Sequence, residues 1–174
     1  MTQTAWTVEA IGALNHVGSW TGRTHLQKLM FLAESLCGIN TPFCFVLYQY
    51  GPYSVQLDLM ARDLEVFGLI RKQFRGGQEY GGSLVVTDEG RDAVAGKLSD
   101  DDKSILARVA KLIGSNGVKE LELIATCCWT ERMLGANSDD AIIEEVARIK
   151  PKYSREEICE QLAEYRRVQH ELGA

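Results

Sequence analysis

The spacing of apolar residues in the middle of the chain predicts the first elements of the fold. Residues 43–50 are an aromatic and β-branched run that stops at Gly51-Pro52, which predicts a strand entering a turn. Across residues 57–67 the apolar positions recur three or four apart, as in an amphipathic helix that buries one stripe. Ser54 is placed to cap this helix and Gly68 is placed to end it.

Two short stretches, 69–74 and 83–87, follow the helix and flank a glycine-rich stretch. Glycine supplies the positive φ that a tight reversal needs, so the two runs predict an antiparallel β-hairpin. A helix, a hairpin and a further helix from Asp88 stand in the order of a winged helix. The predicted fold class is therefore α+β and mostly helical, with a winged-helix-like unit over residues 1–98 that contains one small antiparallel β-hairpin.

Helical patterns account for the remainder of the chain. Apolar residues at helical spacing predict a helix over 5–17 and another that starts at Thr24 with a capping box formed with Gln27. Residues 99–174 carry further amphipathic patterns that begin at the cap residues Ser99, Ser138 and Ser154. They predict a C-terminal helical layer packed on the first part, and the whole chain, 1–174, is expected to be a single domain.

Composition is that of an ordinary globular protein, with 45% hydrophobic and 25% charged residues. No apolar run approaches the roughly 20 residues that a membrane span requires, and nothing resembles a signal peptide. A cytoplasmic protein is therefore expected. The five cysteines form no C-x-x-C pair and the chain has three histidines, so no metal, disulfide or cofactor is expected.

The net charge of −5 lies in the second half of the chain, because residues 1–86 contain six acidic and six basic residues. An acidic balance argues against a dominant phosphate-binding role and suits a basic protein partner. If the helix over 54–67 bound DNA, its negatively charged carboxylates would lie against the negatively charged phosphates, which is unfavourable. The alternative, a nucleic-acid contact, stays open because the predicted hairpin carries the basic residues Arg71, Lys72 and Arg75.

The standard catalytic and nucleotide-binding motifs are absent from the sequence. It contains no G-x-G-x-x-G, no Walker lysine, no G-x-S-x-G and no H-E-x-x-H. A cysteine nucleophile would need a nearby base, and no pairing with a histidine can be read from the spacing. The protein is therefore predicted not to be an enzyme.

Several stretches carry a resemblance to a known family. They are Leu-Gln-Lys-Leu-Met-Phe-Leu-Ala at 26–33, Tyr-Gln-Tyr-Gly-Pro-Tyr-Ser at 48–54, residues 57–70, Glu-Leu-Glu-Leu-Ile-Ala-Thr at 120–126, and Lys-Pro-Lys-Tyr-Ser at 150–154. Together they resemble the Panacea-type antitoxins and the related YwgA-like and phage-associated GepA-like proteins. The last stretch is most similar to the YwgA-like branch.

This resemblance implies a bacterial or phage protein that neutralises a partner toxin by direct contact, in some members as an adaptor that presents the toxin to a protease. Carried over by position, it implies that the partner-binding residues are Gln27, Lys28, Tyr48, Tyr50, Gly51, Pro52 and Tyr53. The other interpretation is that Gly-Pro only makes the turn and the tyrosines only pack. Two functions stay open: a non-enzymatic protein-binding module of the antitoxin kind, and a winged-helix DNA-binding transcriptional regulator.

Overall fold

The computed structural model describes residues 2–74 and 82–173 of the chain. The helices in this part are α1 (Thr2–His16), α2 (Arg23–Cys37), α3 (Val55–Val66), α4 (Asp88–Val94), α5 (Asp100–Ile113), α6 (Val118–Leu134), α7 (Asp139–Ile149) and α8 (Arg155–Leu172). The strands are β1 (Val46–Tyr48), β2 (Gly51–Tyr53), β3 (Ile70–Gln73) and β4 (Ser83–Val86). The predicted α+β, mostly helical class is confirmed.

The strands form two separate antiparallel hairpins. The predicted hairpin is β3–β4, in which Ile70 faces Val86 and Gln73 faces Ser83. Most of the glycine-rich stretch between these strands, with Arg75, lies outside the described residues. The order α3–β3–β4–α4 is the predicted one, but it does not by itself establish a winged helix, which stays a prediction.

The single strand predicted over 43–50 is wrong. Only Val46–Tyr48 is a strand, and the chain turns back at once so that Tyr48 faces Gly51 in the second hairpin, β1–β2. Gly51 has a φ of +84°, a left-handed conformation that glycine adopts without steric penalty. The Gly-Pro pair therefore begins a strand of its own.

Helices α2 and α6 lie at the centre of the fold. Residues 25–33 of α2 and 121–128 of α6 are buried without interruption, so neither helix has a solvent-exposed face over these turns. The two helices pack against each other, while α5 and β2 also contact α2, and α7, α8 and β2 contact α6. One cluster of buried apolar side chains runs through both parts of the chain.

Side-chain caps start most of the helices. The predicted caps Ser54, Ser99, Ser138 and Ser154 are confirmed, since each hydroxyl accepts a hydrogen bond from a backbone N–H of the first turn. The capping box predicted for Thr24 and Gln27 is wrong.

Helix α2 begins at Arg23 with Gly22 as its N-cap and has no side-chain cap. The Gln27 amide instead contacts the backbone of Ser54.

We predict that Ser154→Ala lowers the free energy of unfolding by about 1 kcal/mol. The Ser154 hydroxyl accepts from the Glu157 N–H, and the Glu157 carboxylate accepts from the Ser154 N–H, so the substitution removes half of a capping box. Urea denaturation would measure the change. Ser104→Ala, at an exposed position inside α5, is the control and should change the free energy by no more than about 0.5 kcal/mol.

Candidate functional site

The buried helix α2 holds the β1–β2 hairpin through two adjacent polar side chains. The Gln27 side chain accepts from the Ser54 N–H at 2.8 Å and donates to the Ser54 carbonyl at 2.9 Å. The Lys28 Nζ donates to the Pro52 carbonyl at 2.8 Å and is only 2% exposed. Together these bonds fix the second strand and the start of α3 against α2.

A buried carboxylate on α6 holds the other side of the hairpin. Glu122 is 2% exposed, and its Oε1 lies 2.9 Å from the Nζ of Lys150, which is also buried. Its Oε2 accepts from the Tyr153 hydroxyl at 2.8 Å and lies 3.1 Å from the Nζ of Lys152. Lys150 also donates to the carbonyl of Gln49 in the hairpin turn. Glu122 therefore links α6, the segment 150–153 and the turn; we call Lys28, Glu122, Lys150 and Tyr153 the buried cluster.

Gly51 lets the hairpin approach α6 closely. A Cβ atom at this position would lie 3.1 Å from Thr126 Oγ1 and 3.3 Å from the Glu122 carbonyl oxygen. The Thr126 hydroxyl donates to that same carbonyl at 2.6 Å. Both the left-handed backbone and the short distance to α6 therefore require glycine here.

Burial and neighbouring charges shift the pKa values in the buried cluster. The pKa of Lys28 is lowered to about 8, mainly by burial and also by nearby Lys150, while Glu122 acts in the opposite direction. For Glu122, burial alone would raise the pKa, but hydrogen bonds from Lys150, Tyr153 and Lys152 outweigh it and the pKa is lowered. Burial, followed by the bond to Glu122, raises the pKa of Tyr153.

The outward side of the hairpin exposes aromatic side chains. Tyr48 is 63% exposed and Tyr50 is 53% exposed, and Val46 beside them is also exposed. The Tyr48 ring packs on the half-buried Tyr53 ring with centroids 5.7 Å apart. The Nζ of Lys152 lies 5.3 Å from the centre of the Tyr50 ring. We call Val46, Tyr48, Tyr50 and Lys152 the hairpin surface.

Helix α3, which follows the hairpin, also exposes apolar side chains. They are Val55, Leu59 and Val66, followed by Phe67 just after the helix. One acidic residue of this helix, Asp58, pairs with two arginines: its carboxylate oxygens lie 2.7 Å from Arg23 and 2.9 Å from Arg62.

The residues predicted to bind a partner divide into two groups. Gln27, Lys28, Gly51 and Pro52 are buried, and Gln27 and Lys28 hold the hairpin from behind; contact of these four residues with a partner stays a prediction. Tyr48 and Tyr50 are exposed and Tyr53 is half-buried, so the tyrosines remain accessible to a partner.

Two of the three residues predicted as a possible nucleic-acid contact, Arg71 and Lys72, lie on β3. Arg71 is exposed, Lys72 lies 3.0 Å from Glu65, and Arg75 lies outside the described residues.

The sequence reasoning missed Glu122 and Lys150 as the centre of the site. Both lie in stretches that carry the family resemblance, but their contact joins residues far apart in the chain. The available signal was local: Glu122 stands within a run of apolar residues on α6, where a carboxylate needs a partner.

The described residues include no group of three or more His, Cys, Asp or Glu side chains that could hold a metal ion. The five cysteines are free thiols. None of the described helices has the length and apolar character needed to cross a membrane.

No protein-family model matches the chain, and the search of curated proteins found no significant match.

We predict that Gly51→Ala destabilises the fold more than Gly18→Ala. Both glycines have positive φ, so each substitution carries a backbone penalty of roughly 1–2 kcal/mol. A Cβ at Gly18 has no atom within 4 Å, whereas a Cβ at Gly51 crowds Thr126 and Glu122. Gly51→Ala should therefore lower the free energy of unfolding by about 1–3 kcal/mol more than Gly18→Ala in urea denaturation. Equal losses would show that the hairpin is not seated on α6 as described.

We also predict that wild type gains stability relative to Lys28→Met as the pH rises from 8 to 10. With a folded pKa of about 8 against 10.5 unfolded, native Lys28 binds fewer protons than the unfolded chain in this window, so rising pH favours the native state. The difference in free energy of unfolding should shift by about 2 kcal/mol. Comparing two proteins cancels the titration of their other groups, and Met133→Ala, an exposed substitution without a titratable side chain, should differ from wild type by a constant amount. A constant difference for Lys28→Met would mean that Lys28 keeps an ordinary pKa.

Proposed function

We propose that the protein is a non-enzymatic protein-binding module that neutralises a toxin by direct contact, as the Panacea-type antitoxins do. The observation that supports this most is the hairpin surface. It exposes two tyrosines on a short turn whose opposite side is fixed by buried polar contacts.

Exposed tyrosines suit a protein interface because a tyrosine buries a large area and offers a hydroxyl while losing little conformational freedom. The backbone of this hairpin is already ordered in the free protein. Lys28 and Lys150 hold the backbone of the turn from the interior. A partner therefore meets a preorganised surface, which lowers the entropy lost on association.

The exposed apolar residues of α3 support the same proposal. Val55, Leu59 and Val66 recur along one outward face of the helix, and Phe67 follows them. Large apolar side chains that gather on one face of a soluble protein are typical of a contact with another protein. Nucleic acid would instead require basic residues there, and Arg62 on this helix already pairs with Asp58.

The resemblance gives the proposal its more specific part. Stretches 26–33, 48–54, 120–126 and 150–154 are far apart in sequence, and each contributes a residue to the buried cluster or to the hairpin it holds. Because these four stretches come together in the fold, they support the view that the residues carrying the resemblance form one structural unit. That this unit faces a toxin is our inference from the family it resembles.

The test is co-expression with the product of a neighbouring toxin-like reading frame that is lethal when expressed alone. We expect wild type to restore growth and to form a complex with that product. In a binding assay Tyr48→Ala and Tyr50→Ala should each weaken the affinity by about 1–3 kcal/mol while leaving the melting temperature nearly unchanged. Tyr53→Ala should lower both the affinity and the melting temperature, because Tyr53 is half-buried, unlike the exposed Tyr48 and Tyr50.

Met133→Ala is the control for this experiment, because Met133 is exposed at the far end of α6. If the tyrosine variants lose stability but the folded protein keeps its affinity, the interface lies elsewhere. Specific binding of upstream DNA at physiological salt, with a Kd of about 10⁻⁸ M or tighter, would instead favour the transcriptional regulator.

A further inference from the structure

The β1–β2 hairpin has one closed edge and one open edge. At the inner edge, formed by β2, the Pro52 carbonyl accepts a hydrogen bond from Lys28. The N–H and the carbonyl of Ser54, directly after β2, both bond with the Gln27 amide. Two side chains of α2 thus form the contacts that a neighbouring strand would form. The outer edge is β1, which pairs with no strand other than β2 in the described part of the chain.

The register fixes which backbone groups of β1 face outward. Leu47 lies opposite Pro52, which has no N–H, so these two residues cannot exchange backbone hydrogen bonds. The bonded pairs are therefore the ones on either side, at Val46 and Tyr48, and the N–H and carbonyl of Leu47 point away from β2. Neither group has a hydrogen-bond partner among the described residues.

The segment before β1 continues the same alternation. Over residues 43–48 each odd-numbered side chain is buried or half-buried and each even-numbered one is exposed, which is the period of a strand. The Cys44 N–H donates to Gln56 Oε1 at 3.0 Å. The N–H and carbonyl of Phe45, in contrast, have no hydrogen-bond partner in residues 2–74 and 82–173. Residues 43–48 therefore have the form of a strand longer than β1, with an unpaired outer edge.

This edge lacks the residues that usually prevent a strand from pairing with another chain. Edge strands are commonly protected by charged side chains or by proline. Residues 43–50 contain neither, and their aromatic and β-branched composition favours an extended conformation. Val46 is 55% exposed beside the exposed Tyr48, so apolar side chains flank the open backbone groups. The edge is therefore suited to the addition of a strand.

We propose that an extended segment of a partner protein binds the open edge of β1 as an added strand. The inference rests on the proposed function, on which this segment belongs to the toxin. Its backbone accepts from the N–H groups of Phe45 and Leu47 and donates to their carbonyls, so that β1 becomes longer towards residue 43. Donors and acceptors that alternate at strand spacing match the backbone of an extended polypeptide. Side chains of the added strand pack beside Val46 and Tyr48.

A toxin fits this edge better than a second copy of the chain. A stable interface buries about 800 Å² on each partner, so pairing along one short strand needs further contacts. The bond between Cys44 and Gln56 places the start of α3, with the exposed Val55, next to the edge. A toxin can cover this face and the hairpin surface together. Two copies paired through antiparallel β1 strands would be related by a two-fold axis perpendicular to the sheet, so their hairpin surfaces would point the same way and stay uncovered.

The first experiment uses a peptide that can add a strand and a matched peptide that cannot. They are Lys-Thr-Val-Thr-Val-Thr-Lys and Lys-Thr-Pro-Thr-Pro-Thr-Lys, both with blocked ends and equal charge. Each is titrated into the ¹⁵N-labelled full-length protein and followed by NMR. We expect saturable shifts of the Phe45 and Leu47 amide resonances with the first peptide, and at least about tenfold weaker binding of the second, because proline lacks the N–H. Equal binding, or no saturable shift of these two resonances, would overturn the proposal.

Two changes at Leu47 test the backbone contact from the other side. Leu47→Pro removes the outward N–H and Leu47→Ala keeps it, while both remove the side chain. Leu47→Pro should therefore bind the first peptide at least about tenfold more weakly than Leu47→Ala. Replacing Leu47 by its α-hydroxy analogue, through nonsense suppression, removes the N–H and keeps the side chain. It should weaken binding at least about tenfold without changing the melting temperature, and wild-type affinity of this variant would overturn the proposal.

The lethal neighbouring product separates this inference from the proposed function. In its complex with the protein, the amides of Phe45 and Leu47 should be protected from hydrogen exchange. A complex that leaves both amides unprotected would overturn strand addition while the proposed function stands. Peptide binding by a protein that binds no such product would overturn the toxin as the occupant, together with the proposed function. A dimer of the free protein in sedimentation that protects both amides, and that Leu47→Pro dissociates, would assign the edge to a second copy and overturn the proposal.

Discussion

The ion pair between Glu122 and Lys150 is the interaction on which the arrangement of the site depends. Both side chains are almost fully buried, and a buried charge is unfavourable unless it is paired and hydrogen-bonded. The Glu122 carboxylate is paired and hydrogen-bonded only when segment 150–153 supplies Lys150, Lys152 and Tyr153. The Lys150 ammonium group also donates a hydrogen bond to the Gln49 carbonyl. Three segments distant in sequence must therefore come together before the carboxylate is satisfied, and loss of one partner leaves a buried charge on the others.

The exposed features of the molecule follow from what this interior fixes. With its backbone held by Lys28 and Lys150 and with Gly51 against α6, the β1–β2 hairpin has one orientation, and Tyr48 and Tyr50 point to solvent. The start of α2 differs, because its N-cap is Gly22, which has no side chain to accept from the first turn. The molecule thus places buried ion pairs and hydrogen bonds directly behind the proposed protein-binding surface.

The sequence predicted those features that depend on neighbouring residues. The caps at Ser54, Ser99, Ser138 and Ser154 and the β3–β4 hairpin were correct because a cap or an apolar run acts within a few residues. The pattern of Thr24 and Gln27 was equally local and failed, since the Gln27 amide forms two hydrogen bonds with Ser54 in the tertiary structure. Lys28 was selected by its motif, but lysine is usually exposed, so its burial and its partner were not predictable. Glu122 and Lys150 were missed for the same reason.

The two buried lysines of the cluster differ in what each requires. Lys150 faces a carboxylate, so its contribution depends on its positive charge. Lys28 donates to the Pro52 carbonyl, which is neutral, and an uncharged amine still has an N–H to donate. Glu122 pairs with Lys150 and Lys152, whereas Lys28 has no carboxylate among its contacts in the part of the chain that the structure describes. The pKa of Lys28 is lowered mainly by burial and further by the charge of Lys150; losing the proton relieves both costs and keeps the hydrogen bond that holds the hairpin.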